Sequence, residues 1–428
     1  MDFEKILKYF KAAEATYDFE TMSKIFLAVN NYRIALAQVG RASDIPPTFN
    51  YIIKRSSLLF LYYMLELLVN GNALKAKDYI LKLGKDGLAK YGPLLILQKY
   101  GPLLILHYLL AKSFYATGDY PKALKIFNAY EQNRYAAWKD VDELSLFYRA
   151  NCSALLGDFK AAEKIYAKIL AIKADFPEVQ QNLELVRRGS NKNLDMEVSS
   201  LWNFPNWCDV PIFINARDRL GVMKKLIDWL LDAGYRKLII LDNDSTYPPL
   251  LKYYSELEKD SRIKIIRLGK NLGFKALWLS GVLEELKIST PYVYTDPDVL
   301  PIETCPKNFV ETLMKLLDGN HELKKIGLGL VYEDITFFDK ENCKAHEKDF
   351  YEGTCVGENL FYANIDTTFA LYSNTRHYSL RFSLRTTGDL RAYHLPWYFD
   401  YDNLPEDEKY YLEHADKNSI TSVKNALN

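Results

Sequence analysis

The sequence predicts an all-α helical-repeat domain over residues 1–188, a linker over 189–209, and an α/β domain with a mostly parallel sheet over 210–428. Three observations predict it. Up to about residue 188 apolar residues recur at three and four while Gly and Pro are sparse. Within that region a single helix-turn-helix pattern returns at a steady interval. Beyond residue 210, short buried-type strands alternate with helical patterns, the grammar of a sheet covered on both faces.

The repeating units begin at Gly71-Asn72, Gly118-Asp119 and Gly157-Asp158. In each, a Gly-Asp or Gly-Asn turn follows one helix and opens another that carries a small residue and an aromatic or Ile on its inner face. Gly118 and Gly157 lie 39 apart and Gly71 and Gly118 lie 47 apart, but Lys90 to Leu97 recurs as Lys99 to Leu106. Removing that nine-residue duplication leaves 38, a near-constant period that predicts stacked helical hairpins. These segments resemble tetratricopeptide repeats over roughly residues 50–185, most closely at Tyr115 to Tyr120 and Ala154 to Phe159. From Gly189 to Asp209 neither a helical nor a strand period survives, which predicts the linker.

Past the linker, strands are expected at Pro211–Ile214, Lys237–Leu241, Ile263–Ile266 and Tyr292–Tyr294, with helices at Leu220–Gly234, Pro248–Asp260 and Phe274–Leu286 between them. Further strands are expected at Ile326–Val331 and Thr368–Tyr372. Such sheets bind ligands at the carboxyl ends of their strands. Those ends read Asn215 to Asp218, Asp242 to Ser245, and Asp296-Pro297-Asp298.

Asp296-Pro297-Asp298 is the most informative of these. In an extended segment residues two apart point to one side, and the intervening Pro fixes its φ. Two bare carboxylates there repel; a hard divalent cation, Mg2+ or Mn2+, removes the conflict and keeps positions for phosphate oxygens. The pair suits a metal-diphosphate clamp that takes up charge as a sugar–oxygen bond breaks.

With four motifs in order, Val210 to Arg217, Leu241 to Ser245, Lys270 to Phe274 and Tyr294 to Asp298, residues 210–300 resemble a GT-A-type glycosyltransferase, close in pattern to glycosyltransferase family 2. The resemblance implies a nucleotide-diphosphate sugar donor, a UDP-sugar first among them. Its base and ribose would lie against Asn215, Arg217 and Asp242, its diphosphate would border Asn271 and Gly273, and Asp296 and Asp298 would reach metal and sugar. It further implies that Asp366 deprotonates the acceptor hydroxyl, with inversion at the anomeric carbon, and that His394 completes the metal's coordination. The residues independently allow some of this. Asp242 at a strand end can accept from ribose hydroxyls, and the Asn271-Leu272-Gly273 turn lets backbone N–H groups approach phosphate.

Each residue has a plainer reading. Asn215 and Arg217 can cap the next helix or pair with Asp218; Asp244 and Ser245 can cap a helix; Asn271 to Gly273 can be a simple turn. Asp366 can be a turn aspartate, and His394 a packing residue beside Trp397 and Tyr398, which themselves suit either a sugar face or an apolar corner.

Composition narrows the classes. With 49% hydrophobic and 26% charged residues the chain is neither disordered nor collagen-like, and 55 Lys+Arg against 55 Asp+Glu give no bulk field for nucleic acid. The start carries no leader pattern and the longest apolar stretch, Leu58 to Val69, contains Glu66, so no transmembrane segment is expected. Five scattered cysteines without a CxxC pair argue against disulfides and zinc and suggest a cytoplasmic protein. The expected activity is metal-dependent glycosyl transfer to a glycan, lipid-linked or protein acceptor, with the helical repeats offering self-association or a protein partner. The alternatives are an inactive scaffold built on those repeats, or a sugar nucleotidyltransferase. The latter calls for a glycine-rich phosphate loop, and Asn215-Ala216-Arg217-Asp218-Arg219 has no glycine.

Overall fold

The computed structural model describes residues 3–15, 19–38, 60, 63–64, 67–68, 71–82, 101–138, 142–199, 202, 204–318, 320, 323–336, 340–348, 350–351, 355–375 and 383–414. The chain divides into two units, Met1–Ser199 and Ser200–Asn428. The duplicated stretch lies outside the described residues up to position 100.

The first unit is helical: α1 (Phe3–Ala15), α2 (Phe19–Gln38), α3 (Ala73–Lys82), α4 (Gly101–Ala116), α5 (Tyr120–Trp138), α6 (Glu143–Leu155), α7 (Phe159–Ile172) and α8 (Pro177–Arg187). From α4 to α8 each helix packs on the next. The repeated Gly-Asp pair explains the hairpins. Gly118 and Gly157 have φ of +79° and +84°, the left-handed conformation that ends a helix and that Gly adopts without strain. The following N–H then reaches back, Asp119 to the Phe114 carbonyl at 2.9 Å and Asp158 to that of Ser153 at 2.9 Å. The same aspartates cap the next helix: Asp158 Oδ1 accepts from the Ala161 N–H at 3.0 Å. One turn thus closes one helix and starts another. Ala123 and Ala162, the small residues of the pattern, are fully buried beside Phe127 and Tyr166. The segment read as a linker is divided: residues up to Ser199 fall in the helical unit, those from Ser200 in the other.

The second unit is mixed α/β. Four strands, β1 (Ile212–Ala216), β2 (Leu238–Asp242), β3 (Ile263–Arg267) and β4 (Tyr292–Thr295), run parallel in the order β3-β2-β1-β4. Between them stand α9 (Leu220–Ala233) and α10 (Pro248–Leu257). Buried apolar residues on both faces of β1 and β2 require cover on both sides. Phe213, Ile239, Leu241, Tyr292 and Tyr294 join one core cluster with Leu277, Val282 and Leu283. The helix expected over 274–286 is two short ones, α11 (Ala276–Leu279) and α12 (Val282–Glu285), because Gly281 between them takes a φ of +79°.

Beyond β4 the sheet turns mixed. It continues through β10 (Ala370–Tyr372), antiparallel to β4, then β6 (Lys325–Gly327), β11 (Ser383–Thr386), β9 (Leu360–Tyr362) and β8 (Cys355–Gly357). A second sheet has the order β5 (Val299–Pro301), β12 (Arg391–His394), β7 (Gly329–Leu330). The run 326–331, expected as one strand, therefore serves two sheets. At Leu328 the chain leaves one for the other, and the Leu328 N–H bonds the Phe369 carbonyl at 2.9 Å. The described remainder holds α13 (Phe309–Asp318), α14 (Lys340–Lys348) and a C-terminal α15 (Glu406–His414). No helix among the described residues is long and apolar enough to cross a membrane.

Candidate active site

Register brings the polar strand ends together. Ala216 stands beside Asp242 and Ile214 beside Thr295, so Asn215, Asp242 and Asp296 share the carboxyl edge of the parallel strands. In the second sheet His394 pairs with Val299, which sets the histidine next to Asp298.

Asp298 is almost wholly buried. One oxygen, Oδ2, is held by the Arg219 guanidinium and lies 3.5 Å from His394 Nε2. The other, Oδ1, is buried with no hydrogen-bond partner. Burial alone raises its pKa, but the charge of Arg219, helped by His394, holds it well below the usual carboxylate range. Arg219 is shared: its Nη2 also meets Glu408 of α15 at 2.9 Å, and its guanidinium lies over the Tyr411 ring at 4.3 Å.

Asp296 has the opposite electrostatics. Burial first and the Asp298 charge second push its pKa up to about 8, with Asp366 adding to the rise and hydrogen bonds from Thr367 and Asn215 opposing it. The Thr367 hydroxyl donates to Asp296 Oδ2, and the Asp296 N–H donates to the Thr367 carbonyl at 3.0 Å. The surroundings of two neighbouring carboxylates thus pull in opposite directions, those of Asp298 favouring its ionised form and those of Asp296 its protonated form.

Asp366 is exposed on the turn that carries Thr367, and its charge is felt at Asp296. The turn is fixed from below by Lys325 of β6. Its buried ammonium donates to the Ile365 carbonyl and stands 3.3 Å from the Tyr372 hydroxyl, and burial lowers its pKa to about 7.

The remaining sites expected from sequence take their places as follows. Asp242 is buried; its Oδ1 accepts from the Tyr254 hydroxyl at 3.0 Å and the Ser245 N–H at 3.3 Å, and burial raises its pKa. Asn215 donates to the Gly273 carbonyl at 3.4 Å, and its own Oδ1 is buried without a partner. The N–H groups of Leu272 and Gly273 are committed inside the protein, to Asn243 Oδ1 at 2.6 Å and Asn271 Oδ1 at 2.9 Å. The turn therefore does not offer those two donors to a phosphate. Arg217 lies 3.8 Å from Asp218 Oδ2 and reaches the His414 carbonyl at 3.5 Å. Asp218 itself caps α10's approach, accepting from the Thr246 and Tyr247 N–H groups at 2.6 and 2.8 Å. Trp397 packs its ring 4.8 Å from that of His394, and Tyr398 donates to Asp334 at 2.9 Å.

Sequence reasoning did not assign Arg219, Asn243, Lys325, Thr367 or Glu408. Arg219 closes the polar run after β1 and Thr367 follows Asp366, so both carried a local signal. Glu408 carried none, since its partner is 189 residues away.

Among the described residues no group of three or more His, Cys, Asp or Glu is arranged to hold a metal ion. The Asp296–Asp298 pair nevertheless suits a divalent cation on two counts: Asp298 Oδ1 is a buried oxygen without a partner, and burial together with the Asp298 charge disfavours the ionised form of Asp296, a conflict that a cation between the two carboxylates would relieve.

No protein family and no curated protein matches the chain. Among solved structures, a mannosyltransferase from Pyrobaculum calidifontis in complex with GDP-Man and Mn2+ is 13% identical at a TM-score of 0.30, covering 57% of this chain and 68% of its own. An O-GlcNAc transferase mutant from Thermobaculum terrenum is 11% identical at a TM-score of 0.21; the match covers 49% of this chain and only 42% of that one. At these scores neither likeness carries an argument about this chain.

Proposed function

We propose that the α/β unit is a GT-A-type glycosyltransferase that moves a sugar from a nucleotide-diphosphate donor to an acceptor hydroxyl with the help of Mn2+ or Mg2+. One observation carries the reading: at the carboxyl edge of a parallel sheet, Asp298 is almost wholly buried two residues from Asp296, with His394 Nε2 3.5 Å from one of its oxygens and the other oxygen lacking any hydrogen-bond partner.

In this reading Asp296 and Asp298 hold the cation, with His394 beside them. The bound cation supplies Lewis-acid stabilisation of the charge that grows on the leaving diphosphate. Arg219 fixes the Asp298 carboxylate from its other oxygen, and Glu408 balances the guanidinium. Asp242 takes ribose hydroxyls on the oxygen not used by Tyr254 and Ser245, and Asn215 and Arg217 line the same edge. Asp366, exposed beside Asp296, accepts the proton of the attacking hydroxyl, which displaces the diphosphate directly and inverts the anomeric carbon. Because the N–H groups of Leu272 and Gly273 are already used, Asn271 and Gly273 shape the pocket wall rather than donate to phosphate.

Release of free nucleoside diphosphate from UDP- and GDP-sugars, with and without Mn2+, tests the reading. Wild type is expected to release it only with the cation, and Asp298→Asn to lose at least about a hundredfold, the usual cost of one transition-state stabiliser. No release from any nucleotide sugar would leave the helical scaffold alternative, and pyrophosphate chemistry the nucleotidyltransferase.

A further inference from the structure

The helical unit contains a polar network outside the candidate active site. Tyr115 on α4, Asn151 on α6 and Asn182 on α8 come from alternate helices, and all are buried. Asn151 Oδ1 accepts from the Tyr166 hydroxyl and from Asn182 Nδ2 at 3.1 Å, which fixes the orientation of both amides.

What this network holds is main chain. Asn182 donates to the Asp195 carbonyl at 2.9 Å and accepts from the Asp195 N–H at 2.8 Å, the two-bond pairing one strand gives another. Asn151 donates to the same carbonyl at 2.8 Å, and Tyr115 donates to the Met196 carbonyl at 2.8 Å. The segment continues in contact: Glu197 accepts from the Tyr148 hydroxyl at 2.7 Å with Lys112 at 3.7 Å, and the Ser199 N–H donates to Glu178 at 2.9 Å. Leu194 and Val198 are buried on either side. Burying asparagines is costly unless every polar atom is used, and here they are used on the backbone of one non-helical segment. Apolar packing alone would anchor a tail without them.

We propose that Tyr115, Asn151 and Asn182 form a peptide-binding site that reads the main chain of an extended segment with an acidic residue two positions after the clamped one, and that its resident ligand is the chain's own Leu194–Ser199. The segment leaves α8 only a few residues earlier, so its effective concentration is of millimolar order and a free peptide does not displace it at micromolar levels. This holds whatever the α/β unit catalyses.

The test uses the full chain and changes the ligand, leaving the helices untouched. Asp195→Pro deletes the N–H that Asn182 accepts; Asp195→Ala deletes only a side chain the clamp does not read. Hydrogen exchange over residues 196–199 is expected to stay within about twofold of wild type in Asp195→Ala and to accelerate at least about tenfold in Asp195→Pro, with α6 and α8 protected in both. A labelled peptide of residues 192–199 is expected to bind Asp195→Pro saturably and wild type not at all. Equal exchange in the two variants, or no peptide binding by Asp195→Pro, overturns the proposal.

Discussion

Replacing the Asp296 carboxyl by an amide reports on the electrostatics of the candidate site without any substrate. The Asp296 carboxyl titrates near pH 8 in the folded chain, against about 3.9 for an exposed aspartate. Between these values the folded state holds a proton that the unfolded state has released. The stabilising contribution is therefore fully present below pH 4 and is lost as pH rises towards 8, at about 1.4 kcal/mol per pH unit for one proton. Across about four units the swing is roughly 5 kcal/mol, an upper figure because the two aspartates titrate together. An amide in this place is neutral at every pH and still accepts from Thr367, so Asp296→Asn should remove this slope and stabilise the α/β unit at pH 8 in the presence of a chelator. Urea unfolding followed by tryptophan fluorescence from pH 5 to 9 measures it. Parallel curves for wild type and variant would show that Asp296 is ionised throughout, and the account of unlike protonation states would be wrong.

Three further outcomes follow from named contacts. Arg219→Leu leaves Asp298 and Glu408 buried without their common partner and should destabilise the α/β unit by about 3–5 kcal/mol in chemical denaturation; a loss under about 1 kcal/mol contradicts the ion-pair assignment. Gly327→Ala puts a methyl 2.7 Å from Ala370 Cβ and 2.9 Å from the Phe369 carbonyl, between two strands, so a loss of about 1–3 kcal/mol of unfolding free energy is expected and unchanged stability refutes the β6–β10 packing. Asn243→Ala frees the Leu272 N–H, leaves the Gly273 carbonyl only its Asn215 donor, and should raise the KM for a nucleotide sugar more than it lowers kcat; the reverse split would move Asn243 from shaping the site to the chemistry.

The parallel half of the sheet was legible because Ile212–Phe213–Ile214 and Leu238 to Leu241 are continuous apolar runs, as strands buried on both faces must be. The repeated Gly-Asp turns were legible for a local reason too: a left-handed Gly and an aspartate cap act within a few residues. What periodicity could not show is where a run changes partners. Residues 326–331 read as one strand, yet one backbone step at Leu328 hands the chain to another sheet. The C-terminal α15, rich in acids and poor in apolar residues, gives no helical stripe; its place is set by Asp407 on the Gly221 N–H at 2.6 Å and Glu408 on Arg219. The segment 189–199 read as linker because its backbone partners, Asn151 and Asn182, are side chains on other helices. In the site, the carboxylates at strand ends were visible from their spacing, whereas what Arg219 and Thr367 do there was not, because they act on Asp298 and Asp296 from 79 and 71 residues away.

The most direct measurement of the central claim is the anomalous scattering of crystals grown with Mn2+ and a nucleoside diphosphate. A manganese peak within bonding distance of both the Asp296 and Asp298 carboxylates, with diphosphate oxygens on its open side, is the predicted result. A nucleotide bound elsewhere, or a peak at this edge absent while Arg219 remains on Asp298, contradicts it.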